Sequence, residues 1–273
     1  MVEVKVVEDS VNSVGNRLTT FQLRYWRAIH AEFMTHRMFS RNASSSRAIP
    51  VATIMKQVRE APASPVHWGA NQPGMQADAE LSPIGIVVAK TVWSQAANSA
   101  ADFAEQLAKL GVHKQIANRL MEPFQYISVV VSATEWNNFY ELRIHKDAQP
   151  EIQELAREMK KAQDASTPKK LKCGEWHLPY VTQEERSTLD VYTQQQISTA
   201  RCARVSYLKH DGATPSIEED KKLYERLVGG RPLHASPCEH QAKAMDDAFS
   251  YRNFRGWSPF RISVEALIKS KLK

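Results

Sequence analysis

The stretch from Ile84 to Leu110 constrains this chain most, because it reads as one long helix that must find a solvent or a partner along its whole length. Its mostly apolar window, Ile84 to Ala104, carries Lys90, Gln95, Asn98 and Asp102. Those side chains, with the many alanines, suit a helix packed in a soluble body rather than a membrane span. Gly111 interrupts it, and Val112 to Met121 predicts a second helix ending before Pro123. On the other flank, residues 61 to 83 hold Pro62, Pro65, Gly69, Pro73, Gly74 and Pro83, the punctuation of an ordered loop or lid.

Strands and further helices surround this pair. Val2 to Val7 alternates weakly as a strand does, Gly15 and Asn16 predict a turn, and Tyr126 to Val131 is a short β-branched run suited to a buried strand. From Thr20 the spacing of Leu23, Trp26, Ile29 and Phe33 predicts a helix through about Arg37, followed by the polar stretch SRNASSSRAIP, which Pro50 stops. Ser132 and Glu135 offer a capping box for a helix carrying Trp136, Phe139, Tyr140, Leu142 and Arg143. Pro150 suits the first turn of a helix through about Lys161, and Thr182 with Glu185 suits the start of another through roughly Ala203. Val205 to Tyr207 begins an extended stretch, Gly229, Gly230, Pro232 and Pro237 mark a turn-rich region, and Ser263 to Ile268 predicts the last helix. No break in composition demands two units, so the expectation is a single α+β domain over residues 1–273.

Charge and cysteines narrow the partners. A net charge of +6, from 36 Lys and Arg against 30 Asp and Glu, helps gather phosphorylated ligands but is too small a bias to indicate nucleic acid. The densest basic run, Lys160, Lys161, Lys169, Lys170 and Lys172, is interleaved with Asp164, Ser166 and Pro168 and reads as a solvated connection. The acidic start MVEVKVVEDS is not a secretory signal, and Cys173, Cys202 and Cys238 form no C-x-x-C pair. A reducing, cytoplasmic setting without membrane attachment is the expectation.

The familiar catalytic signatures are missing. Nine histidines form no H-E-x-x-H, His30 and His36 and likewise His234 and His240 stand six apart, and no metal site is expected. Ser44, Ser45 and Ser46 lack a G-x-S-x-G elbow. Cys173 lies near His177, and Cys202 lies near Arg201 and Arg204, without the surroundings of a thiol enzyme. More informative is THRMFSRNASSSR, where His36, Arg37, Arg41 and Arg47 place donors around four serines. Guanidinium groups there can hold phosphate or a pyrimidine oxygen directionally, although a helix end with a polar cap has the same composition.

That stretch resembles the hallmark of the flavin-dependent thymidylate synthase, or ThyX, family: R-H-R, seven residues, then Ser. His36 and Arg37 match its second and third positions, Ser45 the serine, and Arg47 the arginine that commonly follows, whereas Thr35 replaces the leading arginine and Ala43 the usual glutamate. QIANRLMEP, from 115 to 123, is similar to the family's A-R-x-x-L-P stretch and puts Arg119 at its arginine. NNFYELRIHKDAQPEI resembles N-F-x-x-L-R followed by A-Q-x-E-I, with Asn138 and Arg143 at positions used for flavin and deoxyuridine nucleotide and Asp147 at the usual histidine. ARVSYLKHDG and HASPCEH resemble two further patches, with His240 at a flavin-contacting histidine. Both follow the hallmark here, whereas in familiar members they precede it, the order of a circular permutation.

The resemblance implies a ThyX-like α+β domain and reductive methylation of 2'-deoxyuridine 5'-monophosphate (dUMP). It implies 5,10-methylenetetrahydrofolate as carbon donor, reduced FAD as hydride donor and NADPH as the source of electrons. In this scheme Ser45 and Arg143 serve the reaction, Ser45, Arg47, Arg119 and Arg143 hold the nucleotide, and His36, Arg37, Asn138 and His240 hold FAD, with no obligatory cysteine. It implies a homotetramer with sites shared between subunits. The departures at Thr35, Ala43 and Asp147 leave open a related enzyme acting on another pyrimidine nucleotide, such as dCMP, or a non-catalytic binding descendant.

Overall fold

The computed structural model describes residues 2–205 and 215–270. Strand β1 (Glu3–Val11) turns at Gly15, whose φ of +87° a side-chain-bearing residue adopts only at a cost, into the antiparallel β2 (Arg17–Trp26). The helix expected from Thr20 to Arg37 does not form. The chain stays extended to Trp26, then makes a 3-10 turn at Arg27–Ile29 and the single turn α1 (His30–Phe33). Phe21, Leu23 and Tyr25 alternate with Thr20, Gln22 and Arg24, and this period of two wins because β2 is bonded along both edges. The helical spacing of Leu23, Trp26, Ile29 and Phe33 straddles the end of the strand.

Part of the polar stretch becomes the edge strand β3 (Ser40–Ala43), and Pro50 leads into α2 (Val51–Glu60), to which the sequence reading assigned no element. Residues 61 to 82 are loop with one isolated bridge between Gly69 and Glu80. The long helix α3 (Pro83–Lys109) begins with Pro83 at its first position and Ser82 accepting from the Gly85 amide. The second helix is a composite, α4 (Lys114–Ala117) running into a 3-10 segment, Asn118–Phe124, that takes in Pro123. Ser132 caps nothing. It belongs to β4 (Tyr126–Ala133), where its hydroxyl is bonded within the core, and α5 (Asn137–Ile144) starts without a side-chain cap.

The rest of the chain follows as α6 (Pro150–Asp164), β5 (Lys169–Lys170), β6 (Trp176–His177), α7 (Gln183–Thr188) and α8 (Val191–Ala203). The Thr182–Glu185 capping box is present, but the single helix expected behind it breaks before Asp190, which caps α8. After α9 (Ile217–Tyr224) a wide π-type turn spans Glu225–Gly229 and a 3-10 turn spans Ser236–Glu239. Short strands β7 (Ala242–Ala244), β8 (Ser250–Tyr251), β9 (Phe254–Arg255) and β10 (Trp257–Pro259) precede α10 (Phe260–Ser270). Most of the extended stretch expected at Val205 to Tyr207 and of the patch ARVSYLKHDG lies outside the described residues.

The main sheet has the order β3-β4-β2-β1-β5, antiparallel except for the β1–β5 pair. One face carries Phe21, Leu23, Tyr25, Ile127, Val129 and Val131 against Trp136, Phe139, Ile152, Leu155 and Met159 of the α5–α6 side. Each such fully buried side chain contributes roughly 1.5–3 kcal/mol. The opposite face is different in kind, since Ser10, Thr20 and Ser132 are completely buried there beside His177 and His240. Met121 joins α2 and α3 in a separate apolar cluster. The result is a mixed α+β fold.

Candidate functional site

The buried polar face carries a continuous hydrogen-bond chain with one direction. Asn42 on β3 donates from Nδ2 to Ser236 Oγ (3.2 Å), which leaves its Oδ1 to accept from His240 Nε2 (2.9 Å). Burial lowers the His240 pKa to about 3, so the ring is neutral and its Nδ1 accepts from Ser132 Oγ (2.9 Å). Ser132 then accepts from Thr20 (2.6 Å), Thr20 from His177 Nε2 (2.8 Å), and His177 Nδ1 from Ser10 (2.9 Å). Burial holds His177 well below the ordinary histidine value too, and neither ring has a spare nitrogen. The chain therefore fixes which end of the Asn42 amide points where.

Beyond β3 the serine loop is clamped from the α4 side. Ser44 continues the β3–β4 ladder through the Ser128 backbone, Asn118 Nδ2 donates to the carbonyls of Ser46 (2.7 Å) and Ile49 (3.0 Å), and Lys114 Nζ reaches the Ala48 carbonyl (2.9 Å). Ser46 Oγ donates to Glu122, whose carboxylate also pairs with Arg27 and Arg119, each at 3.0 Å. Held this way, Ser45 and Arg47 line a pocket of about 440 Å³ together with Asn42, His113, His234 and Ser236. Arg47 is exposed and has no bonded partner among the described residues, so its guanidinium is free for an anion. His234 and Ser236 come from HASPCEH, nearly two hundred residues along the chain from Ser45.

The other expected residues lie outside this pocket. His36 accepts from Arg143 Nε at 2.9 Å, and Arg143 is also ion-paired with Glu32. Burial, then Arg143, then Arg41 lower the His36 pKa to about 4, so it meets Arg143 as a neutral acceptor. Phe39 stacks on its ring and Phe139 meets the ring edge-on. Arg37 and Asn138 are exposed with no partner among the described residues, and Arg119 is exposed on its Glu122 pair. The chain thus unites Ser45 with Arg47, and His36 with Arg143, but does not gather all eight positions. The sequence reading missed Asn42, Glu32, Asn118, Glu122, Ser132 and Ser236. Asn42, Asn118, Glu122 and Ser236 stand inside the quoted motifs at positions those motifs do not single out, while Glu32 and Ser132 carry no local signal for these roles.

The thiols stand apart from this chemistry. Cys202 and Cys238 are buried, and burial pushes Cys238 up to about 12 and Cys202 higher. Thiols so held are poor nucleophiles. Among the described residues no cluster could hold a metal ion, and no helix is long and apolar enough to cross a membrane.

A mixed sheet flanked by helices, with a small polar pocket beside its edge strand, defines a ThyX-like α+β architecture. Among solved structures, the UMP/dUMP methylase PolB from Streptomyces cacaoi bound with 5-Br UMP has this fold, with a TM-score of 0.50 at 17% identity over 60% of this chain and 88% of that one. The same methylase bound with 5-Br dUMP gives a TM-score of 0.48 at 17% identity over 60% of this chain and 90% of that one. No curated protein matches the sequence. Residues 17–169, more than half of the chain, match the family model described as thymidylate synthase complementing protein, and the chain belongs to that family. The match ends before residues 203–240, where ARVSYLKHDG and HASPCEH stand.

Proposed function

We propose that the pocket around Ser45 and Arg47 binds a pyrimidine nucleotide, dUMP foremost, and that the protein is a flavin-dependent thymidylate synthase. The observation that carries this reading is the meeting of the serine loop with His234 and Ser236 around the oriented amide of Asn42. A volume of about 440 Å³ suits a mononucleotide, since small-ligand pockets run from about 300 to 1,000 Å³. Arg47 takes the phosphate, and Ser45 and Asn42 supply hydrogen bonds to the ring. Arg119 and Arg143, each held by a carboxylate, serve the nucleotide in a homotetramer whose sites are shared between subunits.

Arg37 and Asn138 are open donors that suit an anionic, hydrogen-bonding cofactor such as FAD, and His36 stands beside Arg37. His240 has both ring nitrogens engaged, so we assign it the positioning of Asn42 in place of a direct flavin contact. When bound, reduced FAD supplies hydride, with 5,10-methylenetetrahydrofolate as carbon donor and NADPH as the source of electrons. We read the order of motifs as a circular permutation, supported by the packing of residues 234–240 on the hallmark loop within one chain.

Ala43, standing where the family usually has glutamate, favours a second reading: methyl or hydroxymethyl transfer to another pyrimidine nucleotide such as dCMP or UMP. The test is anaerobic reduction with FAD, addition of dUMP, dCMP or UMP with methylenetetrahydrofolate, and mass analysis of the products. Methylated dUMP is the expected product, and product from dCMP or UMP alone favours the second reading. Flavin binding without turnover of any of the three favours a binding protein. Arg47→Ala should weaken nucleotide binding about 10- to 100-fold, the worth of a charge-assisted hydrogen bond.

A further inference from the structure

A second, larger opening lies behind α8, between α9 and α10, with a volume of about 960 Å³. Its walls are aromatic. Phe260 meets Trp176 edge-on at 5.9 Å between ring centres and lies nearly parallel to Tyr224 at 6.4 Å, and Tyr192 meets Tyr224 at 6.3 Å. The Tyr192 and Tyr224 hydroxyls face each other. Gln195 and Gln196, on the same face of α8 as Tyr192, are in another position. They are only 6% and 7% exposed, line the cleft, and make no side-chain hydrogen bond to any described residue. Nine-tenths buried and without a partner among the described residues, yet not sealed from the opening, the two amides are left for whatever enters the cleft to bond, and an occupant that covers them has to supply the partners.

We propose that this cleft binds a flat, neutral aromatic heterocycle carrying a lactam edge, the ring lying against the aromatic wall and the edge paired with Gln195 and Gln196. An amide offers a donor and an acceptor side by side, and a lactam presents the complementary pair. Aromatic walls hold a planar ring through stacked and edge-on contacts. The charged rim is balanced, with Glu225 and Arg231 both exposed, so the cleft does not select strongly for an ion. An apolar side chain from another protein would leave both amides unpaired, which argues for a polar heterocycle as the occupant. The site is separate from the nucleotide pocket but shares a wall with it: Leu227 borders the smaller pocket while Val228 and Gly229, in the same π-type turn, border the cleft. The proposal stands on the cleft itself and does not depend on the nucleotide reading.

Nucleobases and pterins both carry the lactam edge, so the full chain is titrated calorimetrically with thymidine, guanosine and pterin separately. The expected result is saturable one-to-one binding of at least one probe, the nucleoside and pterin arms identifying the source. The double variant Gln195→Ala, Gln196→Ala should weaken it about tenfold or more. Leu267→Trp, at a half-exposed position on the rim, should block it even where the glutamine variant folds poorly. Arg47→Ala should leave it unchanged. Absence of binding by all three probes up to millimolar concentration, binding that both cleft variants leave intact, or binding abolished by Arg47→Ala would overturn the proposal.

Discussion

Asn42 shows how a single side chain at the pocket depends on atoms far behind it. Its amide has two orientations of the same shape, and the neutral His240 behind it decides between them. Ser132→Ala removes the middle of the chain, leaving His240 Nδ1 without a donor and the Thr20 hydroxyl without an acceptor. Unfolding free energy should fall by about 1–3 kcal/mol in a urea titration, the cost of a buried group left unpaired. Nitrogen-15 spectra of the histidines should show His240 as the Nε2-protonated form in the parent and a mixture in the variant; an unchanged spectrum would rule out the directed chain. Cys202→Ser and Cys238→Ser should each retain whatever turnover the parent shows, because neither thiol lies at the pocket and both are held protonated.

Among the elements, legibility followed the distance over which the decisive contact acts. The long helix α3, the buried strand β4 and the start of α6 are written in local pattern, so the sequence predicts them nearly to their ends. The β2 strand is hidden in the sequence because Leu23, Trp26, Ile29 and Phe33 imitate a helical face, while the register with Val129 and Val131 exists only once the sheet is paired. Ser132 and Glu135 have the spacing of a capping box, but the sheet claims Ser132 first. The pocket is half legible: Ser45 and Arg47 stand at marked positions of a recognisable motif, whereas the clamp on their loop comes from Asn118 and Glu122, which flank the one marked position, Arg119, of another. Glu122→Ala should therefore loosen the loop by removing the acceptor for Ser46 and leaving Arg27 and Arg119 uncompensated. Amide exchange over residues 44–48 should accelerate with little change in β4, and equal acceleration of both would refute the clamp.

At the scale of the whole molecule, the long helix remains unfinished within one chain. Ile84, Val87, Val88, Val92 and Phe103 on α3 and Leu110 just after it are exposed, and Ala96, Ala100, Phe103 and Leu110 border an apolar hollow of about 650 Å³. An apolar surface of this kind fits the proposed association of subunits. Phe103→Glu should shift sedimentation toward smaller species while leaving the circular dichroism spectrum unchanged; the same assembly as the parent would move the interface off α3.

The fold also has a predictable response to acid, because its buried and half-buried histidines resist protonation. His30 and His36 are lowered to about 4 and His240 to about 3, by burial first in each case, with Arg27 and Arg41 adding to His30 and Arg143 and Arg41 to His36. His177 is lowered as well, by burial and then by Arg186 and His240. In the unfolded chain each titrates near 6.5, so on acidification the unfolded state takes up protons that the folded state refuses. Their contribution to stability is complete above 6.5 and is lost as pH falls, through about 4 for His30 and His36 and through about 3 for His240, at up to about 1.4 kcal/mol per pH unit for a fully buried histidine and less for the part-exposed His36. Glu8 acts in the opposite sense. Burial raises it from 4.5 to about 7 against the pull of Arg186 and Lys169, so the folded state gains between 7 and 4.5 as pH falls. One carboxyl opposes four imidazoles, and urea midpoints should decline from pH 6.5 to pH 5. Glu8→Gln removes the opposing proton and should steepen that decline. A midpoint that is flat or rises on acidification in the parent would show that these histidines are not held neutral by the fold.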